Sequence, residues 1–91
     1  MKNIDIIRAW NNNRPAGKSN KALRTDGDRL WSYSLCIGRS DEEGNKVLFD
    51  YTSKGGHPVS QTTSTHVGLA KRNSSAEVMR PQVARHAGLI N

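Results

Sequence analysis

The residues best suited to chemistry lie in a glycine- and hydroxyl-rich segment that ends where a helix is predicted to begin. Five residues make up this candidate anion site: Gly55, Gly56, Thr63, Ser64 and Thr65. Free backbone N–H groups at a helix start, with glycines and hydroxyl donors beside them, can hold a phosphate. The spacing differs from that of a P-loop, because Lys54 precedes the glycines. The alternative is purely structural, with an edge strand at the threonines and a hydroxyl that caps the helix.

A basic surface is the second candidate. Fourteen Lys and Arg against eight Asp and Glu give a formal charge of +6. Such an excess favours nucleic acid or an acidic protein surface as partner, and the alternative is that the charge serves solubility. The cations gather towards the two ends, and the acids gather in predicted turns. We predict phosphate contacts from nine residues: Arg14, Lys18, Lys21, Arg24, Lys54, Lys71, Arg72, Arg80 and Arg85.

Aromatic side chains allow base stacking in principle. Trp31, Tyr33, Phe49 and Tyr51 lie on two predicted strands, and sheet aromatics stack on bases in single-strand binders. The chain has two Trp, two Tyr and one Phe, and a small domain needs such side chains inside. Core packing is therefore the favoured prediction for these four.

Metal and catalytic sites have weak support. Cys36, Asp50, His57 and His66 are suitable ligand types, but they show no C-x-x-C or H-x-x-x-H spacing. A Cys36–His nucleophile pair lacks a local signature, and a single strand cysteine is typical of a small buried hydrophobe. We predict a protein that is not an enzyme, with no catalytic residues, metal or cofactor.

The cellular setting follows from two further features. The chain has no apolar run near the ~20 residues of a membrane span, and its start does not resemble a signal peptide. One cysteine precludes an internal disulfide. We expect a cytoplasmic protein that has no membrane partner.

The elements that must position these residues begin with a short helix over residues 3–10, capped by Asn3. Residues 11–20 are dense in turn formers and predict a mobile basic arm. Asp26-Gly27 predicts a hairpin between strands at about 22–25 and 30–37. A further strand follows at 46–52, and residues 59–62 are a candidate fourth, edge strand.

The C-terminal part is predicted to be helical. One helix starts at Thr63 or Ser64, and the Ser74–Glu77 spacing matches a capping box that would start another. Pro81 restarts or kinks that helix, Gly88 fits its C′ position, and Leu89-Ile90 can pack on the core.

The predicted fold class is α+β. It comprises a three- to four-stranded antiparallel meander, a short N-terminal helix and C-terminal helices packed on one face. The single small basic domain covers residues 1–91, with the N-terminal helix and arm in 1–21, the meander in 22–63 and the C-terminal helices in 64–91.

Four motifs resemble a known group of proteins. They are L-R-T-D-G at 23–27, W-S-Y-S at 31–34, Y-T-S-K-G-G at 51–56 and T-T-S-T-H-V at 62–67. They are similar to the L-x-T-D-G, Y-S-Y, Y-T-A-K-G-G and T-T-S-x-H-V pattern of small proteins of unknown function encoded by phages and other prokaryotic viruses. The resemblance implies a viral accessory protein and assigns no catalytic or ligand residues.

The functional expectation combines charge and resemblance. We expect a small basic viral accessory protein that binds nucleic acid through the phosphate backbone, chiefly with the arm from Arg14 to Arg24. The alternative is a protein–protein module that inhibits a host complex, as anti-CRISPR and other anti-defence proteins do. A homodimer through a strand edge is compatible with both.

Overall fold

The computed structural model describes residues 2–18, 22–52 and 60–90. Within these ranges three helices are present: α1 (Asn3–Asn11), α2 (Gln61–Asn73) and α3 (Pro81–His86). The strands are β1 (Pro15–Ala16), β2 (Leu23–Asp26), β3 (Leu30–Ser32), β4 (Leu35–Ser40), β5 (Lys46–Phe49) and β6 (Glu77–Met79). They form one sheet in chain order, antiparallel from β1 to β5 and parallel between β5 and β6. The α+β prediction is confirmed, and the sheet is larger than predicted and mixed.

The N-cap of helix α1 lies one residue before the predicted cap, Asn3. Lys2 is the N-cap, and Asn3 is the first helical residue. The Lys2 backbone N–H donates to Asp5 Oδ2 at 3.1 Å, so the first-turn carboxylate satisfies a donor at the positive end of the helix.

Trp10 fixes α1 to the sheet. Its ring is fully buried, and its Nε1 donates to the Asp28 carbonyl at 2.9 Å. Gly38 on β4 lies against the ring, where a Cβ at residue 38 would be 2.8 Å from Trp10 Cζ2. The absence of a side chain at Gly38 therefore allows the indole to approach the sheet.

The basic arm is shorter than predicted. Pro15 and Ala16 pair with Asp26 and Thr25 as an edge strand, because positive φ angles at Asn13 and Gly17 turn the chain back along β2. The prediction of a mobile segment over residues 11–20 is therefore wrong for Pro15 and Ala16, which form strand β1.

The Asp26-Gly27 hairpin prediction is confirmed. Gly27 has a φ of 102°, and Asp26 Oδ1 accepts the backbone N–H groups of Asp28 and Arg29 at 2.9 and 2.8 Å. This carboxylate closes the turn between β2 and β3 as an Asx turn does.

The predicted strand over residues 30–37 is two strands. Tyr33, with a φ of 55°, and Ser34 form a tight turn between β3 and β4. Leu30 and Ser32 face the core, and Tyr33 projects from the turn instead of continuing the strand.

Helix α2 starts earlier than predicted. Ser60 is the N-cap and accepts the Thr63 N–H at 3.1 Å, so neither Thr63 nor Ser64 caps the helix. Gln61 and Thr62 are helical, which overturns the predicted edge strand at these residues. Val59 lies outside the described residues.

The predicted helix at the Ser74–Glu77 capping box is also wrong. Ser74 Oγ accepts the Ala76 N–H at 3.1 Å, and Glu77–Met79 forms β6 alongside β5. The open edge of β5 offers a ladder of backbone partners, and this long-range pairing outweighs the local cap signal.

The C-terminal helix behaves as predicted from Pro81 onwards. Pro81 occupies its first turn, Gly88 follows the C-cap with a φ of 79°, and Leu89 and Ile90 pack against the core. The Arg39 guanidinium donates to the Leu89 carbonyl at 3.3 Å.

The helices do not share one face of the sheet, which corrects that part of the prediction. Ser32 on β3 contacts α2, and we call its side the inner face. Its neighbour Trp31 points the other way, and Trp31 pairs with Cys36. Leu89 and Ile90 share a cavity with Cys36, so the C-terminal segment lies on this opposite side, which we call the outer face.

Candidate nucleic-acid interface

The outer face of the sheet carries a row of three cross-strand neighbours. Trp31 on β3 pairs with Arg24 on β2 and with Cys36 on β4. Directly paired residues on antiparallel strands project to the same side, about 5 Å apart. The register therefore brings a guanidinium, an indole and a thiol together on one surface.

Arg24 and Trp31 form a cation–π contact. The guanidinium carbon lies 5.1 Å from the centre of the indole ring, and Arg24 Nη1 donates to the Tyr33 carbonyl. This second contact ties Arg24 to the β3–β4 turn. The pair holds a charged group and an aromatic surface in a fixed relative position.

The core prediction for the aromatic residues is only partly confirmed. Phe49 and Tyr51 are 1% and 6% exposed, whereas Trp31 is half-buried and Tyr33 is 55% exposed. The left-handed turn at Tyr33 is the physical reason, since it carries this ring out of the sheet. The Trp31 ring thus lies beside Arg24, whereas the exposed Tyr33 ring lies 6.5 Å from the His66 ring of α2.

Among the described residues, the arginines of this face lack carboxylate partners. Within residues 2–18, 22–52 and 60–90, ion pairs join Arg8 to Asp5 and Lys71 to Asp50. Arg24, Arg29 and Arg39 have no carboxylate oxygen within 4.0 Å in that part of the chain. Their charge is therefore available to an anion from outside.

A cavity of about 200 Å³ opens on the outer face next to this row. Arg29 and Arg39 line it together with the Cys36 thiol, the Tyr51 phenol and the apolar side chains of the C-terminal segment. Burial raises the pKa of the Cys36 thiol, and the two arginines oppose that rise. Burial also raises the pKa of Tyr51, with Arg85 acting in the opposite direction. At neutral pH both groups are protonated, and the charge around the cavity is that of the arginines.

The inner face holds a closed polar network. Ser32 Oγ lies 2.7 Å from His66 Nδ1 and 3.1 Å from Thr63 Oγ1, and Ser60 Oγ donates to Thr63 Oγ1 at 3.0 Å. Ser32 is 0% and His66 3% exposed, and burial lowers the pKa of His66. A serine with no accessible surface cannot meet a substrate, so this network joins β3 to α2.

The candidate metal and nucleophilic residues do not converge. Cys36 donates to the Gly38 carbonyl at 3.1 Å, Asp50 pairs with Lys71 at 3.2 Å, and His66 binds Ser32. No group of three or more His, Cys, Asp or Glu side chains that could hold a metal ion occurs among the described residues. His57 lies outside them.

The predicted anion site is described only in part, because Gly55 and Gly56 lie outside the described residues. The Thr63 hydroxyl is buried in the inner network. Ser64 Oγ donates to the Tyr51 carbonyl at 3.4 Å, and Thr65 Oγ1 donates to the Gln61 carbonyl at 2.9 Å. All three hydroxyls thus have partners within the chain, and anion binding there stays a prediction.

The predicted phosphate-binding cations are spread over several elements. Arg14 and Lys18 are exposed on either side of β1, and Arg72 is exposed in the last turn of α2. Arg80 and Arg85 are exposed at the two ends of α3. Lys21 and Lys54 lie outside the described residues, and Lys71 is in an ion pair.

Sequence reasoning missed Arg29 and Arg39. The strands predicted at about 22–25, 30–37 and 46–52 leave both residues between strands, whereas Arg39 lies near the end of β4. The alternation of side chains along a strand could have indicated their positions. Arg29 precedes the inward-facing Leu30, and Arg39 follows the inward-facing Gly38. Their convergence on one cavity depends on the bulged register between β3 and β4.

Comparison of the chain with protein-family models, with curated proteins and with solved structures gave no match. The resemblance to phage-encoded proteins therefore rests on the four motifs alone. None of the described helices is long and apolar enough to span a bilayer.

Proposed function

We propose that this protein is a non-enzymatic viral accessory protein that binds nucleic acid, mainly through the phosphate backbone, on the outer face of its sheet. The observation that carries the proposal is the Arg24–Trp31 cation–π contact on this face, which the hydrogen bond from Arg24 to the Tyr33 carbonyl holds in place. Aromatic rings next to guanidinium groups on an open sheet surface are typical of proteins that bind unpaired bases and the adjoining phosphates.

The charge distribution supports the same surface. Arg24, Arg29 and Arg39 lack carboxylate partners among the described residues, so binding a phosphate does not require breaking an ion pair. Lys71 differs, because Asp50 already neutralises it. Phosphate contacts from unpaired arginines release counterions, and this release is the main source of affinity in non-specific nucleic-acid binding.

The test compares two triple variants in a salt titration with labelled single-stranded and double-stranded DNA and RNA. The first changes Arg24, Arg29 and Arg39 to Gln. The matched control changes Arg8, Lys71 and Arg72 on the helices to Gln, and each variant lowers the formal charge by three from +6. For a single strand each lost phosphate contact should reduce the slope of log affinity against log salt by about 0.7.

We expect the slope of log affinity against log salt to become shallower by about two units in the outer-face variant and by much less in the control. Equal losses in both variants would show that net charge alone acts and would overturn this surface as the interface. Wild-type protein without affinity at physiological salt would overturn nucleic-acid binding altogether.

That last result would favour a protein partner. Strand β6 is the edge of the described sheet, and Val78 on it is 44% exposed. An exposed edge strand can pair with a strand of another protein. An inhibitor of a host complex could use this edge.

A further inference from the structure

We propose that the cavity on the outer face receives one unpaired nucleobase, so that the protein prefers single-stranded over duplex nucleic acid. The inference rests on the proposed function, because the cavity adjoins the surface assigned to phosphate binding. It adds a specific ligand, a single planar base, and a specific site between Arg29 and Arg39.

The position of the cavity relative to the aromatic pair supports this assignment. Cys36 lines the cavity and is the cross-strand partner of Trp31. One strand spacing, about 5 Å, therefore separates the stacking ring from the cavity. A strand with one base on Trp31 can place its neighbouring base in the cavity.

The size and lining of the cavity fit a base better than other ligands. Its volume of about 200 Å³ lies below the ~300–1,000 Å³ typical of pockets for drug-sized molecules, so a single planar ring system is the appropriate size. Phe49, Leu89 and Ile90 provide apolar walls, which a free phosphate does not need. The guanidinium groups of Arg29 and Arg39 can bind the base edge and the adjoining phosphate.

The same geometry explains why the protein should prefer single strands to duplexes. A paired base is stacked on both sides and cannot enter a recess without being extruded, which costs a few kcal/mol of unstacking and unpairing free energy. An unpaired base avoids that cost. The cavity therefore discriminates between single and double strands without reading sequence.

The experiment compares a labelled thymidine oligonucleotide with an abasic oligonucleotide of equal length. The two have the same phosphates and differ only in their bases. We expect the base-bearing oligonucleotide to bind about fivefold tighter or more, as base contacts in single-strand binders do.

The single cysteine of the chain, Cys36, reports on the cavity itself. Its alkylation by iodoacetamide at mildly alkaline pH should slow when the base-bearing oligonucleotide is bound and not when the abasic one is bound. Cys36→Met fills the cavity and should reduce the base-dependent gain in affinity to the part that stacking on Trp31 supplies. The matched control Cys36→Ser keeps the space and should retain that gain.

The outcomes separate the two proposals. Failure of both oligonucleotides to bind would overturn the proposed function. Equal affinity for both would leave phosphate binding intact and overturn the base site. A base-dependent gain without Cys36 protection would place the bases on Trp31 alone, which would also overturn the cavity as their site.

Discussion

The two faces of the sheet use similar residue types for opposite purposes. On the inner face, Trp10 is fully buried against Gly38, and the Ser32, Thr63 and His66 side chains bind one another. On the outer face, Trp31 is only half-buried, and the arginines beside it lack carboxylate partners within the described ranges. The inner polar groups are buried and hydrogen-bonded to one another, whereas the outer groups are held in place but remain accessible to a binding partner. Satisfied groups stabilise a fold, whereas available charges and rings can bind a partner.

The first and largest test of this contrast is aromatic truncation. Trp10→Ala should lower the free energy of unfolding by about 3–5 kcal/mol, because it opens a cavity under the sheet and removes the hydrogen bond to the Asp28 carbonyl. Tyr33→Ala in the exposed β3–β4 turn should change it by about 1 kcal/mol or less, because this ring is 55% exposed and its aromatic neighbour is His66 alone among the described residues. Urea denaturation measures both.

A loss of this size can unfold so small a domain. Trp10→Phe then provides a graded variant that keeps part of the packing. A Tyr33→Ala variant as destabilised as Trp10→Ala would contradict the division between structural, buried rings and accessible ones.

The second test concerns the inner polar network. Ser32→Ala should cost about 1–3 kcal/mol of unfolding free energy, because it leaves His66 Nδ1 and Thr63 Oγ1 buried without this partner. The control Ser34→Ala lies in the exposed turn and should be close to neutral. Thermal and chemical denaturation of both variants would measure the difference, and equal stabilities would argue that the network contributes little.

The smallest effect is a pH dependence from His66. Burial lowers the pKa of His66 below its ordinary 6.5 in the folded chain, so between those two pKa values the unfolded chain binds more protons. Stability therefore falls as the pH drops below about 6.5, with a slope of at most about 1.4 kcal/mol per pH unit.

Urea titrations at several pH values should show this slope in the wild type and lose it in His66→Asn. The variant keeps His57 and His86, so their contributions cancel in the comparison. An unchanged slope in His66→Asn would assign the pH dependence to another group.

Local signals predicted a good part of the fold. The Asp26-Gly27 turn, the presence of helix α1 and the Pro81 and Gly88 boundaries of α3 were predicted correctly. Each depends on backbone chemistry within a few residues. The β6 strand was mistaken for a helix, because its pairing with β5 lies about thirty residues away along the chain and has no local signature.

The candidate site was less predictable. Arg24 was identified from the sequence, but Arg29 and Arg39 were missed, and Tyr33 was expected in the core. The sequence predicts one strand over residues 30–37 that carries both Trp31 and Tyr33, with both rings in the core. A left-handed residue at Tyr33 breaks that strand, and non-glycine residues with positive φ leave little trace in sequence.

The sequence by itself determined the charge of +6, the single cysteine, the main turns and the α+β class, because these depend on composition or on neighbouring residues. Only the tertiary structure decided which aromatic rings are buried, which cations are paired and that Arg29, Arg39 and Cys36 meet at one cavity. These properties depend on strand register and on the packing of the C-terminal segment, which bring together residues that are distant in the chain.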